Sequence, residues 1–227
     1  MSFATRAAPG RVFRLSRYAD PTKLTEWRYL ANAEPGRWAD PEGEYRVLYT
    51  ADSEIGAFVE VLQDLRPRQA ALDLVDTIED DGEFGDVLSS VEAAARERLR
   101  QYYFAALMPR ADDLIVDLEH AASRTEVEQR LADDLGGKRV KVGDFSAGDY
   151  GFTRRVSRLA YTSLTNDDRP YAGVSARSAE HPPSHCYAYY ETGRETEELR
   201  GTVYPHFVRQ ALDEDKHVRE AIAYIGP

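Results

Sequence analysis

The residue pattern predicts an α+β chain, with a mixed sheet core and surrounding helices. Three observations predict it: β-rich apolar runs recur along the chain, amphipathic helical stretches lie between them, and the two do not follow the regular βαβ alternation of a doubly wound sheet. The 227 residues are 42% hydrophobic and 11% aromatic, enough for a buried core and unlike the composition of a disordered chain.

The first strand is predicted over residues 12–15 and the second over 45–49, entered through the turn-like Asp40-Pro41-Glu42-Gly43. Residues 53–65 read as a helix. Asp52 or Ser53 caps it, Ile55, Phe58, Val59 and Leu62 recur at helical spacing, and Pro67 stops it. A longer helix is expected over 86–107, carrying Val87, Val91, Ala94, Leu99, Tyr102 and Tyr103 and ended by Pro109. Residues 114–118 read as a buried strand, and 125–135 as a helix stopped by Gly136-Gly137. A further helix is expected over 149–164, with Phe152, Val156, Leu159 and Ala160 inward. Two strands follow near 171–175 and 186–190, and the tail from Glu195 is helical in pattern, with Tyr204, Phe207, Val208, Leu212, Val218 and Ile222 as apolar contacts.

With 40 acidic against 29 basic residues and a net charge of −11, the chain lacks the broad cationic surface that phosphate backbones require, so no direct nucleic-acid partner is expected. Cys186 is the single cysteine and cannot form an intrachain disulfide. No apolar leader and no run long enough for a membrane span is read, and the expectation is a cytoplasmic protein. Dinucleotide glycine fingerprints, phosphate-binding loops and a nucleophile elbow are all missing from the sequence. His181 and His185 are spaced as on a helix turn, but Pro182-Pro183 between them forbids the helix, and no metal site is expected.

Four polar residues stand beside elements that can hold them rigidly. Arg14 lies within the first strand, Arg37 follows Gly36 and precedes Trp38, Tyr49 ends the second strand, and Glu60 sits on the helix after it. Gly56 and Ala57 neighbour Glu60 on the helix surface and would leave room for a ligand beside its carboxylate.

Gly36-Arg37-Trp38, Gly43, Val47-Leu48-Tyr49-Thr50-Ala51 and Ala57-Phe58-Val59-Glu60 together resemble the first half of RES domains. Val12-Phe13-Arg14 resembles the opening aromatic-Arg strand of that family. The run from Tyr171 to Ser178 resembles the segment supplying the family serine, which aligns with Ser178 and not Ser175; Ala176 stands where the family has tyrosine. Cys186 to Glu191 resembles the aromatic strand that follows. The resemblance covers about 11–191 of a single domain spanning 1–227, with a helical insertion over about 68–110 and a C-terminal helical extension over about 192–227.

The resemblance implies a fold similar to ADP-ribosyltransferase toxins and a toxin that degrades NAD by hydrolysis or phosphorolysis. It also implies an Xre-like antitoxin as partner and a possible homodimer. NAD is then substrate rather than cofactor, with inorganic phosphate as a possible co-substrate. Cleavage of the nicotinamide–ribose bond builds positive charge on the sugar, which a fixed carboxylate, Glu60, would stabilise. Arg37 and Ser178 complete the implied catalytic set, while Arg14 and Tyr49 bind substrate: guanidinium groups suit a pyrophosphate, and Tyr49 can stack on nicotinamide. Two other readings stay open: transfer of ADP-ribose to a protein, and an inactive RES-fold binding module.

Overall fold

The computed structural model describes residues 2–24, 26, 36–66, 83–146, 148–192, 198–201, 203–213 and 215–225. Among the described residues eight strands form one mixed sheet: β1 (Thr5–Ala7), β2 (Val12–Ser16), β3 (Val47–Ala51), β4 (Tyr103–Pro109), β5 (Leu114–Asp117), β6 (Gly173–Arg177), β7 (His185–Tyr190) and β8 (Val203–Gln210). Their order across the sheet is β1-β5-β6-β7-β3-β2-β4-β8. Only β5 and β6 pair in parallel among the described strands. The long connection between them carries α3 (Ala121–Arg130), α4 (Ala132–Leu135) and α5 (Tyr150–Thr162). The remaining helices are α1 (Glu54–Leu62), α2 (Glu83–Leu99) and α6 (Asp215–Ile225), which gives six helices among the described residues and an α+β architecture.

Strand alternation divides the core. Phe13 and Leu15 of β2 and Phe104 and Ala106 of β4 face α1, α2 and α6. Farther along the sheet, Val116, Val174, Ala188 and Tyr190 pack with α3 and α5. Val12, Leu48, Leu107 and Tyr189 form a third cluster on alternate strand positions. Helix α1 forms as its pattern predicts. Ser53, rather than Asp52, accepts the amide of Gly56 at 3.0 Å, and Phe58, Val59 and Leu62 are fully buried.

Three expectations need correction. The helix expected over 86–107 ends at Leu99, and residues 103–109 are the strand β4, hydrogen-bonded between β2 and β8. The run Phe104-Ala105-Ala106-Leu107 is buried on both faces, so its apolar continuity reflects an interior strand rather than a helix stripe. Part of the supposed helical insertion is therefore a central piece of the sheet; residues 67–82 fall outside the described residues. The C-terminal extension likewise contributes β8 before its helix, with Pro205 tolerated because β8 is an edge strand and its ladder with β4 is irregular beside it. Finally, the second strand is shifted by two residues, so Tyr49 is its central residue and not its end. β1 was not anticipated, as three residues carry too little pattern to recognise. Smaller shifts affect other boundaries: Leu131 divides α3 from α4, and β6 begins at Gly173.

The far ends of β3 and β7 are joined by a buried ion pair. Glu191 accepts from Arg46 Nε at 3.0–3.1 Å and from the Arg46 amide at 3.0 Å, and also pairs with Nη2; its side chain is 0% exposed. Breaking such a pair from one side leaves a buried charge poorly compensated. Glu191→Ala is predicted to cost about 3–5 kcal/mol in urea unfolding, with Arg46→Met plus Glu191→Leu recovering most of it. A loss under about 1 kcal/mol in the single variant would show that the pair is not a structural anchor.

Candidate active site

β2 and β3 are neighbours in the sheet, yet their ladder consists of one residue pair, Phe13↔Ala51. Continuing that antiparallel register would pair Arg14 with Thr50 and Leu15 with Tyr49. Those four residues instead border a cleft of ≈ 280 Å³, near the lower end of ordinary ligand sites. All five sequence-designated residues, Arg14, Arg37, Tyr49, Glu60 and Ser178, line it.

Glu60 enters from α1 and Ser178 from the turn that follows β6. Ser178 donates to Glu60 Oε1 at 2.5 Å, and the Cys186 thiol donates to the same oxygen at 3.2 Å. Ser178 Oγ also accepts the amides of Glu180 (3.1 Å) and His181 (2.8 Å). One donor and two lone pairs are a hydroxyl's whole capacity, so Ser178 is fully committed to holding Glu60 and its own turn. Oε1 is thereby anchored, and among the described residues none bonds Oε2, the second oxygen of this cleft-lining carboxylate. The turn itself is braced: His181 Nδ1 meets Ser184 Oγ at 2.6 Å, and Ser184 contacts Ser53, the cap of α1. Gly56 matters here for a reason other than the one expected. A Cβ on it would lie 2.6 Å from Ser184 Oγ, so its small size admits the Ser178–Ser184 turn and not a ligand; Ala57 is the small neighbour that lines the cleft.

Arg37 is positioned by α5. The carbonyls of Gly36, Arg37 and Trp38 accept in turn from Arg154 Nε (3.2 Å), Thr153 Oγ1 (2.9 Å) and Ser157 Oγ (2.8 Å). The Arg37 side chain donates to Phe145 O at 2.9 Å and lies 5.5 Å from the Tyr150 ring centre, leaving guanidinium donors for a ligand. Tyr49 is 39% exposed through its ring, while its hydroxyl accepts the Trp38 amide at 3.1 Å. Burial of that hydroxyl raises its pKa and keeps it protonated. Gly36 packs directly on it: a Cβ there would fall 2.5 Å from the Tyr49 oxygen.

Arg14 is the least satisfied member. Nη2 reaches Lys23 O at 3.4 Å, but Nη1 is buried with no hydrogen-bond partner, and the same holds for Thr50 Oγ1. Although the residue as a whole is half-buried, its charged end is enclosed. Desolvation pulls its pKa down to about 10, partly opposed by Asp20. A buried guanidinium with an unused donor is a site that an anion would complete.

Sequence reasoning missed Cys186, Tyr150 and Arg177 as cleft residues, and missed the whole contribution of α5. Being the only cysteine was the one mark Cys186 carried. His181 and His185 make different hydrogen-bond contacts, His181 with Ser184 Oγ. His185 faces Asp52 at 3.3 Å and Glu119 at 3.2 Å, and Glu119 in turn binds Arg177 at 3.0 Å. Ala176, at the position where RES domains have tyrosine, is a core residue and does not line the cleft. No helix among the described residues is long and apolar enough to cross a membrane.

In this α+β fold one cleft is lined by the Ser178-anchored Glu60 carboxylate together with Arg14 and Arg37. The RES domain family model matches residues 9–84, which bears out the resemblance over the stretch that carries Arg14, Arg37, Tyr49 and Glu60. Ser178 and Cys186 lie beyond the matched stretch. A search of curated proteins found no match.

Two substitutions test this geometry. Gly36→Ala is predicted to lose about 1–3 kcal/mol by overpacking Tyr49, and Tyr49→Phe in the same chain to restore much of that loss, measured by urea unfolding. Purely additive losses would remove the proposed contact. Arg14→Met is predicted to raise the thermal midpoint, because an enclosed cation with an unused donor costs stability; a lowered midpoint would mean that the guanidinium is structurally required.

Proposed function

We propose that the cleft binds NAD and breaks the bond between nicotinamide and ribose, with water or inorganic phosphate accepting the ADP-ribose. The observation carrying this reading is the clamped Glu60 carboxylate, with one oxygen anchored and the other without a partner among the described residues, in the same cleft as Arg14 and Arg37, which keep donors unused by those residues. A sugar becoming cationic in the transition state is stabilised by a fixed negative charge that needs no reorganisation. Oε2 is the oxygen suited to that role, or to accepting a ribose hydroxyl. Nicotinamide departs as a neutral base, so no strong acid has to face the leaving group. Arg14 and Arg37 suit the pyrophosphate, and the open ring face of Tyr49 suits the nicotinamide. Ser178 then acts as a positioning residue, because its hydroxyl has no capacity left for substrate.

The family match supports an NAD-directed, toxin-type activity, and the resemblance to RES domains is our ground for proposing a fold similar to that of ADP-ribosyltransferase toxins. On the same basis an Xre-like antitoxin is the expected partner, silencing the protein by covering the cleft. The purified protein incubated with NAD alone is predicted to release nicotinamide; a rate that rises with inorganic phosphate assigns phosphorolysis. Release that requires an added protein would assign the cleft to ADP-ribosyl transfer instead. Glu60→Gln is predicted to fold normally by circular dichroism and to lower turnover by about 10²–10³. Near-parental turnover in that variant would remove Glu60 from the chemistry.

A further inference from the structure

Cys186 belongs to β7, packs against β3 at the Ala51 pair, and lines the cleft. Its thiol is the second donor to Glu60 Oε1, 3.2 Å away, with Ser178 the first. A single hydroxyl donor leaves a carboxylate free to rotate about that bond, whereas two donors converging on one oxygen, one from the turn after β6 and one from β7, define the carboxylate plane. The thiol is suited to this task because it stays protonated. Its enclosure and the adjacent Glu60 charge both push its pKa well above that of an ordinary cysteine, so it donates and does not repel.

We propose that Cys186 is a positioning residue of the reaction, fixing the plane of Glu60 so that Oε2 faces the substrate. The proposal rests on the NAD-cleaving reading for its kinetic part only. The contact between the two side chains has a consequence independent of any substrate: the Glu60 charge suppresses the thiolate, so neutralising Glu60 releases the reactivity of the thiol. Since the chain has one cysteine, any thiol modification reports on this position alone.

The test has two arms. In the first, methyl methanethiosulfonate modification of the full-length protein is followed by mass spectrometry. The rate is expected to rise several-fold in Glu60→Gln over the parent, as removal of a neighbouring like charge eases ionisation. Equal rates would overturn the contact, whether or not NAD proves to be the substrate. In the second arm, Cys186→Ala is expected to lower kcat for nicotinamide release about tenfold, the loss of one hydrogen bond to a charged group, with KM changed far less. Cys186→Ser restores a donor and is expected to recover most of kcat. Turnover in Cys186→Ala equal to the parent's, or no recovery in Cys186→Ser, would overturn the positioning role. A parent protein that releases no nicotinamide, yet shows the reactivity difference, would remove the function and leave the contact standing.

Discussion

Adjacent antiparallel strands normally pair along their whole shared length, because each unpaired backbone group left in the interior is costly. β2 and β3 depart from that rule after Phe13↔Ala51, and the cleft is the space that the parting opens. Everything functional is arranged around it. The chain leaves β3 directly into α1, which brings Glu60 over the opening; Arg14 sits on one lip, and Tyr49 and Thr50 on the other. The cost appears as two enclosed polar atoms without partners, Arg14 Nη1 and Thr50 Oγ1. Stability forgone at a cleft is a common mark of a binding site.

The groups around the cleft are held in place from outside the family-matched stretch. Helix α5 bonds three successive carbonyls of the Gly36–Trp38 segment, and the turn after β6 clamps Glu60 through Ser178 across 118 positions of sequence. The two halves of the chain therefore divide the labour: the first supplies Arg14, Arg37 and Glu60, and the second fixes the Gly36–Trp38 segment and Glu60. The electrostatics follow the same division. A chain with a net charge of −11 encloses a cleft bordered by Arg14, Arg37 and Arg177, of which Arg177 is neutralised by Glu119. On the proposed reading, such a local cluster of arginines beneath an acidic average would suit a small anionic ligand better than a polyanionic chain.

Much of this was legible in sequence, and the remainder was illegible for identifiable reasons. Ser53 and the apolar spacing of Phe58, Val59 and Leu62 specified α1 locally, and the resemblance to RES domains, added to that helix, pointed to Glu60. β4 was misread because Phe104-Ala105-Ala106-Leu107 is uniformly apolar and has neither period. Cys186 was passed over because a thiol becomes a carboxylate donor only when another strand delivers the carboxylate. Gly56 was noticed for the right property and given the wrong neighbour: its missing side chain admits Ser184, 128 positions later in the sequence.

Residue types and spacing alone determined the α+β class, the charge balance and the capped helix bearing Glu60, since each depends on composition or on neighbours within a few positions, and the resemblance to RES domains singled out Arg14, Arg37 and Tyr49. Tertiary structure alone decided that β2 and β3 part, that Ser178 spends its hydroxyl on Glu60, and that Arg14 keeps an unused donor. Those outcomes depend on which strand lies beside which, and strand order is settled by long-range packing energies that no local window of sequence contains.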